Sequence, residues 1–326
     1  MENYAYLAGG LMLLYFGGEL VVRGSVGLAK ALGVSPLLIG LVVIAFGTSS
    51  PELFVSISAL YSGTPSIAVG NVVGSNIANT LLVLGIGALI HRIPSRGAVL
   101  YRDGSVLLGV TGFFVYLAIQ GQIGRQESLV LLALLTVYLV FSYLQERIVL
   151  SPEARAESGR YRNVLEHMRN NGSMRYIIYT VIGIAMLLFG AKILVAGALE
   201  IATTLGVSDA VIAVSLVAVG TSIPELAAVI VASLRRHSDL VLGGILGSNL
   251  FNILIVLGLP GLYWPIDISP EFLSRDLWVM GGAVLVLLPF LVSSRGIGRG
   301  EALALLAIYA AYIYVLFAGL PPIFQS

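Results

Sequence analysis

The chain has 326 residues, with 18 Lys or Arg against 17 Asp or Glu, a net charge of +1, 58% hydrophobic residues and only 11% charged ones. Soluble domains carry about a quarter charged residues, so a mean hydropathy of +0.97 points to a polytopic membrane protein, and the near-neutral balance gives no basis for nucleic-acid binding. The absence of cysteine excludes a disulfide framework and a thiolate metal site.

A membrane span needs about 20 apolar residues. Ten segments meet that demand, at 4–29, 36–61, 66–90, 104–121, 127–146, 174–203, 209–234, 239–263, 277–294 and 300–318. The first opens on "MENYAYLAGG", which lacks a basic leader and reads as a retained helix. Gly9, Gly10, Gly17, Gly18, Gly24 and Gly27 follow in or near it, and permit close helix contact. Its Glu19 is expected to snorkel or to form a structural ion pair. The second span contains "AFGTSSPELF", residues 45–54. Pro51 has no N–H, so the Gly47 carbonyl loses its helical partner and the span is expected to break. Ser49 or Ser50 can cap a new half-helix that carries Pro51 and Glu52 in its first turn. The third span is expected to be interrupted at Gly74-Ser75-Asn76, with Asn79 one turn further on.

After two unremarkable spans, the polar stretch 151–173 divides the chain. The expected units are a first five-helix repeat at 1–147, a cytoplasmic connector at 148–173 and a second repeat at 174–326. The sixth span carries Lys192, which occupies the register of Glu19. The seventh contains Gly220-Thr221-Ser222 followed by Pro224 and Glu225, and the eighth contains Gly247-Ser248-Asn249 followed by Asn252. A shift of 173 lays 33–52 on 206–225 with 10 of 20 positions identical, and 70–85 on 243–258 with 9 of 16 identical. Each half has an odd number of spans, so the second copy enters the membrane from the opposite side. The expected fold is all-α, ten transmembrane helices in two inverted five-helix repeats with broken second, third, seventh and eighth helices. Secondary transporters with a midplane site at the repeat interface have this organisation. With the N-terminus outside, fifteen Lys or Arg fall in inner loops against two in outer ones. This bias places both termini on the extracytoplasmic side of the cell membrane.

A lone Ser, Thr or Asn in a membrane helix is usually interhelical glue, but an ionisable residue at membrane depth is costly and marks function. Glu52 and Glu225 hold equivalent positions beside the two predicted breaks. Freed carbonyls, two carboxylates, the hydroxyls of both "GTS" stretches and the "GSN" side chains offer the oxygen shell that hard cations such as Ca²⁺ prefer. Without histidine or thiolate nearby, zinc and copper fit poorly.

The paired "GTSSPE" and "GTSIPE", each followed by "GSN" and a further Asn, resemble the alpha repeats of the cation/calcium exchanger superfamily, and more narrowly its prokaryotic sodium/calcium exchangers. That resemblance implies an alternating-access antiporter that expels Ca²⁺ against inward Na⁺, with no prosthetic group. It implies as ligands Thr48, Ser49, Glu52, Ser75, Asn79 and the Ala45 carbonyl, with Thr221, Ser222, Glu225, Ser248, Asn252 and the Ala218 carbonyl as their mates. It further implies that the first and sixth helices slide over a rigid core. Part of the family has "GSNxFD" where this chain has Asn252. The lost carboxylate implies potassium independence and fewer Na⁺ bound at once. A proton/calcium exchanger using the same glutamate pair is the alternative reading, and protons are expected to compete with Ca²⁺. Partners are the two ions and the bilayer, the chain is expected to be monomeric, and no enzyme is expected, because no His or Lys lies near Ser49 or Ser222 in sequence.

Overall fold

The computed structural model describes residues 2–94, 98–149, 174–204, 220–292 and 296–318. The connector from 150 to 173, His167 included, and the start of the seventh predicted span therefore lie outside the described residues. Among the described residues, seven helices are long and apolar enough to cross a membrane, or eight if one bent pair counts as a single span. Their outer faces expose Leu11, Met12, Phe54, Val137, Val181, Phe189 and Leu285, an apolar surface that suits lipid and not water.

Helix α1 is Glu2–Leu32. The second span starts as α2 (Pro36–Ile39), widens into a π-helical turn at Gly40–Ile44, and continues as α3 (Ala45–Thr48) before α4 (Ser50–Tyr61). The two parts meet at 41°, at the bend that the missing Pro51 N–H requires. The third span runs through α5 (Pro65–Ile77), a π turn at Ala78–Val83 and α6 (Leu84–Ile90). Helices α7 (Ala98–Ile119), α8 (Arg125–Val149) and α9 (Met174–Thr204) follow. After Gly220-Thr221-Ser222 come α10 (Ile223–Leu234), α11 (Ser238–Phe251), a π turn at Asn252–Leu257 and α12 (Gly258–Gly261). The short α13 (Pro270–Ser274), α14 (Asp276–Val292) and α15 (Arg299–Ala318) complete the chain.

The third and eighth spans correct the sequence reading, since neither is broken. Residues Pro65–Ile90 and Ser238–Gly261 are continuous apolar helices. Neither "GSN" contains a proline to remove a donor, and the Ser75 hydroxyl donates back to the Asn71 carbonyl at 2.6 Å, an ordinary helical bond. The irregularity appears instead as wide turns, where the Leu84 N–H reaches back five residues to the Asn79 carbonyl.

Ser238–Gly261 forms the centre of the molecule. In its most apolar 18-residue window 94% of residues are buried, against 28% for α9. It packs on the second span through small residues: a Cβ at Gly40 would lie 2.9 Å from the Leu240 carbonyl oxygen, and one at Gly243 would strike the Leu37 backbone. Helices α1 and α9 lie along each other on the outside of this core. Their seam is made of glycines, since a Cβ at Gly10 would sit 2.8 Å from the Leu194 nitrogen and one at Gly183 2.8 Å from the Gly17 carbonyl oxygen.

Features beyond the motifs recur at the same shift or within one residue of it. Helices α4 and α10 begin and end 173 residues apart. Each closes with the same reverse turn: Thr64 N–H bonds the Ala59 carbonyl at 2.9 Å, and His237 N–H bonds the Ala232 carbonyl at 2.8 Å. The left-handed residue of that turn is Gly63 (φ 73°) in one copy and Arg236 (φ 60°) in the other. Asp103 is held by Arg102 at 2.8 Å and by Tyr138 at 3.3 Å, while Asp276 is held by Arg275 at 2.9 Å and by Tyr312 at 3.2 Å. The bridge between Ile93 and Ile297 is matched by that between Ile266 and Ile123, with the halves exchanged.

Candidate functional site

Both GTS stretches turn the chain in the same way. Ser49 (φ −80°, ψ 4°) precedes α4 and Ser222 (φ −88°, ψ 3°) precedes α10, with the glutamate in the first turn of each helix. Ser49 does not cap α4 with its side chain, contrary to the sequence reading, and Ser222 makes no such bond to α10 either. The Ser50 hydroxyl instead donates to the Phe46 carbonyl at 2.9 Å, which leaves the Ser49 hydroxyl uncommitted. The Ala45 carbonyl is engaged as well, accepting from Ser49 N–H at 2.9 Å with one lone pair to spare. Ala218 lies outside the described residues.

Glu52 and Glu225 are both buried, and the charge of Glu52 acts on Glu225. The halves interlock at this point. Thr48 and Ser49 of the first lie beside Glu225 of the second, and Thr221 lies beside Glu52. Helix α4 packs on the π turn that begins at Asn252, and α10 packs on the one that contains Asn79. Thr48, Glu225 and Ser248 line one narrow crevice. The Thr48 hydroxyl donates to the Ile44 carbonyl at 3.1 Å, which directs its lone pairs elsewhere.

The cluster is short of hydrogen bonds. The hydroxyls of Ser49, Ser222 and Ser248, all four carboxylate oxygens of Glu52 and Glu225, both polar atoms of Asn79 and the amide oxygen of Asn252 are buried without a hydrogen-bond partner. Leaving one such neutral group unsatisfied costs about 1–3 kcal/mol, and an ionised carboxylate costs more. So many in one place constitute a shell of oxygens that a cation would satisfy. Asn252 illustrates the arrangement: its Nδ2 donates to Asn76 Oδ1 at 3.0 Å, which leaves its own amide oxygen buried and without a partner. Among the described residues no group of three or more His, Cys, Asp or Glu side chains could hold a metal. The anionic charge here is therefore that of two glutamates.

Several side chains the sequence reading passed over organise this shell. Asn71 donates to the Glu52 carbonyl at 2.9 Å and to Ser56 Oγ at 3.0 Å, and accepts from Thr221 Oγ1 at 3.4 Å. Its place one turn before Ser75 was the available signal. Asn76 Nδ2 donates to the Asn249 carbonyl at 3.1 Å and Asn249 Nδ2 donates to Thr80 Oγ1 at 2.7 Å. The central asparagines of the two "GSN" motifs thus tie the third span to the eighth. Glu19 is an ion-paired residue, 2.6 Å from Arg235 and 3.4 Å from Arg23. Lys192, in its register, is exposed on α9.

Paired carboxylates in a buried cluster of oxygens, one of them just past the break in the second span, are the mark of an ion transporter. The family model described as "Sodium/calcium exchanger protein" matches residues 3–144 and 175–318, and the chain belongs to that family, as a prokaryotic exchanger of the cation/calcium exchanger superfamily. It is 36% identical over 313 residues to the putative antiporter CaxA of Alkalimonas amylolytica, covering 95% of this chain and 97% of that one. It is 34% identical over 350 residues to the sodium/calcium exchanger MaX1 of Methanosarcina acetivorans, covering 97% and 98%. The structure of the sodium-calcium exchanger NCX_Mj soaked with 10 mM Na⁺ and zero Ca²⁺ superposes with a TM-score of 0.83 at 32% identity, covering 98% of this chain and 99% of that one.

Proposed function

We propose that this protein is a secondary active antiporter that exchanges Na⁺ for Ca²⁺ by alternating access and drives Ca²⁺ out of the cell. The observation that carries this reading is the concentration of unpartnered oxygens around Glu52 and Glu225. The ligands in this proposal are Thr48, Ser49, Glu52, Ser75 and Asn79 with the Ala45 carbonyl, and Thr221, Ser222, Glu225, Ser248 and Asn252 with the Ala218 carbonyl. Two glutamates neutralise one Ca²⁺, whereas Na⁺ satisfies the same oxygens one charge at a time. The arrangement of ten spans as inverted repeats is part of the proposal. It is supported by the recurrent turns, the Arg–Asp–Tyr contacts and the exchanged bridges, which pair 93 with 297 and 266 with 123. A monomer in the cell membrane with both termini outside completes it, on the strength of the fifteen-to-two bias in basic residues.

Na⁺-gradient-driven ⁴⁵Ca²⁺ uptake into proteoliposomes tests the reading, with Glu52→Gln and Glu225→Gln beside the wild type. Both variants are expected to lose exchange, and retained exchange in both would overturn the site. Proton/calcium exchange is the second reading, favoured by Asn252, since a site with only two carboxylates can be discharged by two protons as readily as by one Ca²⁺. Uptake that survives a protonophore under a Na⁺ gradient excludes it.

A further inference from the structure

A cavity that shares no residue with the ion site lies at one end of the α1–α9 pair. Its volume is about 330 Å³, within the range of small-ligand pockets. Three elements meet around it: α1 supplies Glu19, Arg23 and Lys30, α9 supplies Tyr176, and the turn after α10 supplies Arg235 and His237. The charges on its wall do not cancel. Two guanidiniums already hold Glu19, Arg235 at 2.6 Å and Arg23 at 3.4 Å, while Lys30 is exposed and forms no ion pair among the described residues. Burial lowers the pKa of His237, with Asp239 opposing and Lys30 and Arg235 adding to the fall. The imidazole is therefore neutral at pH 7, and both cations lie near enough to act on it. Three fixed cations against one carboxylate leave an excess of two positive charges on the lining. Such charges repel one another unless an anion lies among them.

The fold does not require this cluster. The shift of 173 puts Ala196 in place of Arg23, Thr203 in place of Lys30, Ser62 in place of Arg235 and Thr64 in place of His237. A preference for basic residues on the inner side accounts for their sign. It does not account for their convergence, since that preference asks only for charge near a span end, and these residues reach one concavity from separate elements. Gly27 shapes the wall: a Cβ there would strike the Tyr176 ring, so the glycine lets the ring lie against α1. The Arg175 guanidinium lies 4.6 Å from the centre of that ring and adds to the positive surroundings.

We propose that this cavity binds a phosphate group, carried by an anionic phospholipid headgroup of the inner leaflet or present as free phosphate. Basic pockets between transmembrane helices on the cytoplasmic side take such groups. Arg23 and Arg235 offer forked donors that Glu19 holds in place, a geometry suited to phosphate oxygens, and Lys30 adds a point charge. The bound phosphate joins α1 and α9 to the end of α10. This site does not depend on which ions the protein exchanges, and its test measures binding without transport.

The protein in uncharged detergent is titrated with dioctanoyl phosphatidylglycerol, with dioctanoyl phosphatidylcholine and with inorganic phosphate, and the unfolding temperature gives the apparent dissociation constants. Phosphatidylglycerol is expected to stabilise the wild type and phosphatidylcholine is not. One basic residue beside an anionic headgroup is worth about fivefold in binding. Lys30→Gln should therefore weaken binding roughly fivefold, the further change Arg23→Gln roughly fivefold again, and Lys30→Arg hardly at all. Arg299→Gln removes a charge assigned to the same side but outside the cavity, and should leave binding unchanged. If the double variant fails to fold, Lys30→Glu alone should weaken binding by more than tenfold. Stabilisation by phosphatidylglycerol alone assigns the lipid, and stabilisation by inorganic phosphate with the same Lys30 dependence assigns the free anion; either supports the site. Binding that ignores Lys30 and Arg23, or that falls as much with Arg299→Gln, overturns it, as does equal stabilisation by phosphatidylcholine.

Discussion

Replacing Asn252 with aspartate adds a third carboxylate at the place where this chain lacks one, and the hydrogen bonds fix what that should cost. Asn252 Nδ2 donates to Asn76 Oδ1 at 3.0 Å, and the Asn76 amide cannot turn to compensate, because its own Nδ2 is committed to the Asn249 carbonyl at 3.1 Å. An ionised aspartate would lose one hydrogen bond, worth about 1 kcal/mol, and strand a buried acceptor against its own oxygens, worth about 1–3 kcal/mol more. In cation-free buffer Asn252→Asp should therefore be about 2–4 kcal/mol less stable, a fall of roughly 5 °C or more in unfolding temperature. A cation among the three carboxylates reverses the sign. Na⁺ stabilises the wild type as well, so only the tighter binding of the variant narrows the gap: at saturating Na⁺ each tenfold gain in affinity returns about 1.4 kcal/mol, and the deficit should shrink by about that much. The assay is thermal unfolding in detergent across a Na⁺ titration, paired with the Na⁺ dependence of ⁴⁵Ca²⁺ uptake, which should become steeper in the variant. An unfolding temperature equally depressed with and without Na⁺ would refute the reasoning, because the cost would then have nothing to do with charge facing the ions.

Gly10→Val should abolish exchange, because its Cβ would sit 2.8 Å from the Leu194 backbone, whereas Gly9→Ala, with nothing within 4 Å, should transport like the wild type; uptake rates of the two side by side check this. Arg235→Ala removes the closer partner of Glu19. Because the arginine is half exposed, the unfolding temperature should move by only a degree or two, and the exchanged pair Glu19→Arg with Arg235→Glu should restore it. Arg236→Gly relieves a left-handed residue (φ 60°) and should stabilise the protein by about 1 kcal/mol, read as a higher unfolding temperature in detergent. Protons and Ca²⁺ require the same lone pairs of Glu52 and Glu225, so apparent Ca²⁺ affinity should rise from about pH 5 to 8 and level off once both carboxylates are free; a profile flat throughout would contradict competition.

The break in the second span was legible because its cause is local. Pro51 removes one donor, and nothing distant can restore it. The glycine seam was legible for a similar reason, since Gly10 and Gly17 sit on a helix otherwise crowded with large side chains. The continuity of the third and eighth spans was not. "GSN" reads as an interruption, yet whether Ser75 bonds ligand or backbone depends on a carbonyl one turn away and on how α5 meets its neighbours. The π turns at Asn79 and Asn252 are likewise set by tertiary packing and leave no mark in residue type. The Arg–Asp pairs at 102–103 and 275–276 were visible in the repeat register, but they lie at span ends, where charge is ordinary, and only the burial of Asp103 and Asp276 sets them apart. Asn71 was hidden by asymmetry: its mate is a glycine, so a search for matched residues discards it.

The asparagine ties between the third and eighth spans have a kinetic consequence. Asn76, Asn249, Thr80 and Asn252 form one chain of bonds across the middle of the protein, which fixes the third span against the eighth. Under the proposed alternating-access reading, loading and turnover become separate steps: the cage would select by how well each ion fills a fixed frame, and the glycine-seamed helices outside it would govern the speed of exposure to either side. Substitutions within the frame should alter which ions are accepted, and substitutions along the seam should alter how fast any of them crosses.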